Sequence, residues 1–489
     1  MSFQTKSPST EAVKAADKLA TCFNSLIARG IEQPLAQRFT LQMLMCLFAE
    51  DIGLLEKYLV VRLLDNCKNP QDSHDLLGGL FSAMNTAGGV KGGRFKGVPY
   101  FNGGLFAESA AVELVEDEVM LLKEAVQFDW SKIRPEIFGT IFEHSLGKDQ
   151  RHATGAHFTS AVDIMKVIGP TIVAPWTELI NNTTTLSGLR RLLARIERFT
   201  VLDPACGSGN FLYVAYRELK RLEALIYERM AGEFKSVDPR QRPFGFLSTR
   251  NFYGMDINPF AVDIAKVTMM LAQKLSIDEL HINEAALPLD NLDTNFRVGD
   301  ALINSDGTRA PWFEADVIVG NPPFLGAKLL KPKYGEEYVN KVRRAYPEVP
   351  AMADYCVYWF RRAHDKLQDC SQEDPVTGRA GLVGTQNIRN NASRTGGLEH
   401  IAASGTIIDA VDNQPWSGEA IRELIAHSCQ SRSMQTRPVC WQRSKLIMGS
   451  LLRLSARPIR LSNQALGTMP KSARTTALCR LRTGLILQA

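Results

Sequence analysis

From Ile133 to about residue 420 the sequence alternates short apolar runs with longer helical stretches, and several of the short runs close on an acid. FTVLD (199–203), FYGMD (252–256), FRVGD (296–300), DVIVG (316–320), AGLVG (380–384) and TIIDAV (406–411) have the length and branched side chains of buried strands. Between them, NFLYVAYRELKRLEALIYERM (210–230) and PFAVDIAKVTMMLAQKL (259–275) repeat apolar residues at helical spacing. Parallel strands need a crossover, and a helix is the usual one. The alternation therefore predicts an α/β fold with a Rossmann-like doubly wound parallel sheet. Ligands of such sheets lie beyond the carboxyl ends of the strands, where Asp203, Asp256 and Asp300 fall.

A different pattern precedes the sheet. AVKAADKLATCFNSLIARG (12–30) and PLAQRFTLQMLMCLFAEDIGLLEKYL (34–59) read as helices, with Ser9-Thr10 as an N-cap signal and Pro34 in a first turn. Residues 78–104 carry nine glycines and read as one long loop. With Lys91, Arg94 and Lys96 it is either a substrate-facing arm or a flexible connection. More helix is expected to about residue 127. After residue 420 the regularity stops. The tail from Ala420 holds twelve of the 57 basic residues and one of the 52 acids. Residues 1–419 keep 45 basic and 51 acidic groups, so the +5 of the whole chain hides a net of −6 in its body. The tail reads as a basic nucleic-acid arm or, the favoured alternative, as translation of a shifted reading frame.

No apolar run reaches the 18 residues of a membrane span, and the first 18 residues lack a secretory apolar core. Nine scattered cysteines without a C-x-x-C pair point away from disulfides and zinc, so a cytoplasmic protein without a metal is expected.

The glycine turn VLDPACGSGNF (201–211) follows the first strand and opens a helix. Its glycines allow close backbone approach. The dinucleotide pattern G-x-G-x-x-G fails, because its last position is Leu212. Asp203 repels a pyrophosphate but pairs well with an ammonium group. A cationic amino acid joined to a nucleoside, as in S-adenosylmethionine, fits this turn. Asp256, at the end of the second strand, suits two ribose hydroxyls. Asp300 suits an adenine amino group, although either acid could instead cap a following helix. In DVIVGNPPF (316–324) a strand runs into Asn321-Pro322-Pro323-Phe324. The Asn side-chain oxygen and the Pro322 carbonyl make two acceptors for an exocyclic amino group, and Phe324 offers a face to a flipped base.

DPACGSGNF together with GNPPF resembles the amino-group DNA methyltransferases, specifically adenine-N6 enzymes, with the cofactor motif upstream of the Asn-Pro-Pro motif. The segment 135–160 resembles their motif X. The stretches 378–397 and 407–420 are similar to large type IIG-like restriction–modification proteins. The resemblance implies S-adenosylmethionine as cofactor, double-stranded DNA as partner, and Asn321, Pro322, Pro323 and Phe324 as catalytic residues. For the cofactor it implies His157, Phe158, Thr159, Asp203, Ala205, Gly207, Gly209, Asn210, Phe211, Asp256, Ile257 and Asp300. Thr159 or Ser160 also reads as an N-cap. The implied domains are a helical connector-like domain over 1–130, the methyltransferase domain over 131–420 and the tail over 421–489.

Before residue 150 no Glu has Lys two positions on, so a nuclease of the type that needs this pair is not expected. The resemblance stops just after Glu419, so the final strand and a target-recognition domain are not visible. Direct displacement by the amino nitrogen needs no metal and no covalent intermediate. Two other readings stay open. An amide nitrogen presents the same geometry, as in a protein glutamine N5-methyltransferase, and a truncated product would at most bind cofactor.

Overall fold

The computed structural model describes residues 10–101, 104–132, 159–235, 247–279, 292–416 and 419–430. The expectations at Ser9, His157 and Phe158, in the segment before Thr159 and in the tail after Gln430 lie outside them. Among the described residues no helix is long and apolar enough to cross a membrane.

Seven strands form one sheet: β1 (Val201–Asp203), β2 (Phe252–Asp256), β3 (Phe296–Val298), β4 (Val317–Gly320), β5 (Arg379–Thr385), β6 (Gly405–Trp416) and β7 (Glu419–Gln430). Their order is β3-β2-β1-β4-β5-β7-β6. The pairs β1–β2, β1–β4, β2–β3 and β4–β5 are parallel. β7 pairs antiparallel with both β5 and β6. The order turns back between β1 and β4, so the chain leaves these two strands in opposite directions and opens a crevice at their carboxyl ends.

The pleat sorts the side chains. Val201, Val317 and Val319 enter one core, while Leu202 and Ile318 between them enter the other. On the second face lie the helices Glu336–Ala345 and Val357–Lys366, through Val339, Val342, Trp359 and Phe360. The first face is shared. Its core joins Phe211 and Leu212 of the helix Asn210–Phe234 to Phe39, Leu44 and Phe48 of the N-terminal helix Gln33–Asp51. Each fully buried side chain of this kind contributes about 1.5–3 kcal/mol relative to exposure. The helical front of the chain is therefore one wall of the sheet's own core.

Several local expectations change. The run over 34–59 breaks at Gly53, whose φ is +76°, and helix resumes at Leu59–Asn66. Gly78 and Gly79 lie inside the helix Pro70–Met84, started by an Asn69–Asp72 capping box. A Cβ at Gly78 would meet Ala111 Cβ at 2.6 Å, and one at Gly79 would meet the Phe95 ring at 2.9 Å. Here glycine serves close packing against the following loop. That loop is tied by hydrogen bonds from Val90 N to Val98 O (3.0 Å) and from Gly97 N to Val90 O (2.9 Å). Ser160, and not Thr159, caps the helix Ala161–Ile168, accepting from Asp163 N. The boundary expected at residue 420 falls inside β7, so an ordered strand occupies the first ten residues assigned to the tail. Its pairing with β5 runs from Glu423 to Cys429, and this central position needs both neighbours' ladders.

Candidate active site

β1 ends in Asp203, which is buried and turns one oxygen to Ala205 N at 3.0 Å. Its other oxygen has no hydrogen-bond partner among the described residues. Burial pushes this carboxyl up from 3.8 to about 8, and the Asp256 charge pushes the same way. β4 passes so close that a Cβ at Gly320 would lie 2.4 Å from Asp203 Oδ1. A side chain at 320 would therefore displace the acid.

The turn after Asp203 holds Gly207 at φ +50° and Gly209 at φ +84°. The two glycines do different work. Gly207 lines a cavity of about 400 Å³ and has open space where a Cβ would be. Gly209 does not line it; a Cβ there would meet the backbone of Ala265 at 3.0 Å, in the helix Pro259–Glu279. Asn210 opens the next helix with a buried side-chain oxygen that also lacks a partner among the described residues. Thr159, Ala205, Phe211 and Asp256 complete this side of the cavity, with Ile257, which is 66% exposed.

Asp256 accepts from Gly207 N (3.0 Å) and Asn258 N (2.8 Å), so it braces the glycine turn and still keeps lone pairs. Burial raises its carboxyl above the ordinary range. Asp300 accepts from Leu302 N (2.7 Å) and Ile303 N (3.3 Å) through one oxygen, a turn-capping bond. Its other oxygen accepts from the Tyr338 hydroxyl at 2.6 Å. The acid thus both caps and lines the cavity.

At the end of β4, Asn321 and Pro323 line the cavity. The Asn321 side-chain oxygen is buried and has no hydrogen-bond partner among the described residues. Pro322 is buried behind them, and Phe324 is half-buried outside the lining. The strand's other end is anchored by Asp316, which binds Arg195 at 2.6 Å and Thr377 at 2.5 Å. Against the pull of burial, the Arg195 guanidinium, the Thr377 hydroxyl and Thr200 N, which donates at 2.8 Å, hold the Asp316 carboxyl below its usual value.

The aromatic wall was not read from the sequence. Tyr334, Tyr338, Tyr355 and Trp359 all line the cavity. Tyr334 lies 5.5 Å from Tyr338 and 5.2 Å from Tyr355 between ring centres, and Trp359 donates to Pro204 O at 3.3 Å. Their clustering along 334–359 is the only signal the sequence offers, and its aromatic spacing there is irregular.

The site therefore combines a glycine turn, three acids at successive strand ends, two partnerless amide oxygens and an aromatic wall. A cavity of this size falls in the range of small-molecule sites.

The sequence matches the family described as "MmeI, DNA-methyltransferase domain" over residues 177–426, just over half the chain. It matches "MmeI, helicase spacer domain" over residues 35–106. DNA methyltransferase A of Bacillus subtilis (strain 168) is 30% identical, over 71% of this chain and 41% of that protein. The adenine-specific methyltransferase PglX of Streptomyces coelicolor is 29% identical, over 38% of this chain and 16% of that protein. The chain thus spans well under half the length of these relatives. In fold it is similar to the type IIL restriction–modification enzyme MmeI solved with DNA, with a TM-score of 0.71 and 24% identity over 86% of this chain and 57% of that one. The match across the whole sheet from before β1 into β7 shows that this chain belongs to the MmeI family of DNA-methyltransferase domains.

Proposed function

We propose that the chain is a DNA methyltransferase of restriction–modification type that uses S-adenosylmethionine and methylates the N6 amino group of an adenine flipped out of double-stranded DNA. The observation that carries this is the buried, partnerless Asn321 oxygen at the end of β4, in the same cavity as the glycine turn. A buried acceptor without a donor costs about 1–3 kcal/mol, and a substrate amino group removes that cost.

The residues fit the cofactor. Asp203 has an uncommitted buried oxygen for a cationic amino group, and Asn210 has another acceptor beside it. Asp256 takes the ribose hydroxyls and Asp300 the adenine amino group, with Ile257, Phe211 and Ala205 supplying apolar surface. Thr159 lines the cavity, and the resemblance assigns it with His157 and Phe158 to the motif for the methionine end. When bound, the cofactor supplies a methyl group activated by a positively charged sulfur.

The chain's own part is to hold the nucleophile. An adenine amino nitrogen is weakly nucleophilic because its lone pair is delocalised into the ring. The Asn321 oxygen and the Pro322 carbonyl accept its two hydrogens, draw it toward tetrahedral geometry and stabilise the positive charge that builds on it. Pro322 and Pro323 stiffen the backbone that carries these acceptors. Phe324 is the aromatic face nearest them in sequence for stacking the base. The names of the relatives, a DNA methyltransferase and an adenine-specific methyltransferase, support DNA over protein and adenine over cytosine.

Asn321→Ala tests this reading. Methyl transfer should fall by about a hundredfold or more, while S-adenosylhomocysteine binding measured by calorimetry stays within about threefold. Loss of both together would contradict the assignment.

A further inference from the structure

Asp300 is held by one tyrosine backed by a second, and both belong to neither recognised motif. Tyr338 donates its hydroxyl hydrogen to Asp300 Oδ2 at 2.6 Å. That leaves its oxygen to accept, so the 2.7 Å contact with Tyr355 is a bond donated by the Tyr355 hydroxyl. Tyr355 is buried, and its backbone N–H donates to Leu325 O at 3.0 Å. Next to it, Asp354 accepts from Leu325 N at 3.2 Å and from the Thr385 hydroxyl at 3.0 Å. Leu325 directly follows Phe324. A continuous chain of bonds thus runs from the Asn-Pro-Pro-Phe turn through Tyr355 and Tyr338 to Asp300.

Three of the roughly four acceptor positions of the Asp300 carboxylate are taken, by Leu302 N, Ile303 N and the Tyr338 hydroxyl. The remaining one is fixed in direction, because both oxygens are tied. We infer that Tyr338, backed by Tyr355, is a positioning residue that aims the last acceptor of Asp300 at the 6-amino group of the cofactor's purine and couples that contact to the methyl-accepting turn. This rests on the cofactor reading above. Tyr334 and Tyr338 also line the adjoining open cavity of about 830 Å³, so the strut stands at the partition between the two spaces.

The test compares S-adenosylhomocysteine with its inosine counterpart, which lacks the 6-amino donor, by calorimetry on the full chain. Wild type should prefer the amino compound by about tenfold or more, as expected for a hydrogen bond to a charged acceptor. Tyr338→Phe keeps the ring and removes the hydroxyl. It should weaken the amino compound and leave the inosine compound nearly unchanged, shrinking the preference at least about threefold. Tyr355→Phe, which removes only the donor behind Tyr338, should shrink it less and serves if the first variant does not fold. Equal losses for both compounds would assign the tyrosines a merely structural role and overturn the inference, as would an unchanged preference in both variants. A wild type that binds neither compound would overturn the cofactor reading, and the strut with it.

Discussion

Asp203 sits in an environment far from its ordinary chemistry. Its carboxyl ionises near 3.8 in an exposed setting and near 8 in the folded chain, because burial disfavours the anion. The folded state therefore binds this proton more tightly than the unfolded one. Its contribution to stability is full below about pH 4 and declines as the pH rises through about 8. Asp203→Asn, which mimics the protonated form, should melt at a higher temperature than wild type at pH 8.5 and at the same temperature near pH 4. A cationic ligand reverses the preference for the neutral acid. Binding of S-adenosylhomocysteine at pH 7 should thus release close to one proton, read from calorimetry in buffers of different ionisation enthalpy, and the Asn variant should release none. Equal proton release by both proteins would remove Asp203 from the ammonium site.

Among the elements, β7 carries the most weight for its length. It lies between β5 and β6, so removing it leaves two strand edges without partners. A chain ending at Gln430 should keep the cooperative thermal transition of the full protein. One ending at Ala420 should lose it or melt about 10 °C lower or more, by circular dichroism. An unchanged midpoint in the shorter chain would show that β7 is dispensable. This strand was also hard to read. A central strand usually shows a continuous apolar run, whereas EAIRELIAHSCQ interleaves Arg422, Glu423, His427 and Ser428 with its apolar residues. Strands β1, β2, β4 and β5 were legible because each carries a compact apolar run, and an acid marks the end of β1 and β2 and follows β3 by two residues. Gly78 and Gly79 misled for a related reason: counted together they signal a loop, while the Asn69-Pro70-x-Asp72 start signal shows that a helix already runs through them. The glycine turn and Asn321 were visible as local patterns. The tyrosine wall was not, because Tyr338, with Tyr355 behind it, meets Asp300 only after the chain has passed through β4 and returned.

At the scale of the molecule, the helical front and the sheet share one core, so an expected boundary near residue 130 separates sequence patterns more than folding units. Charge follows the same lesson. The body of 419 residues is net −6, so it offers a polyanion no general attractive field, and exposed Lys91, Arg94 and Lys96 on the tied loop are local basic groups only. The proposed amino-group acceptor rests on the chemistry of the cavity. The most direct measurement incubates the full chain with methyl-labelled S-adenosylmethionine and unmethylated genomic DNA, in parallel with a mixed protein substrate, and follows the label by mass spectrometry after digestion. The label should appear as N6-methyladenine from the DNA. Label recovered in protein glutamine, or no transfer to DNA by a chain that binds the cofactor, would contradict the account.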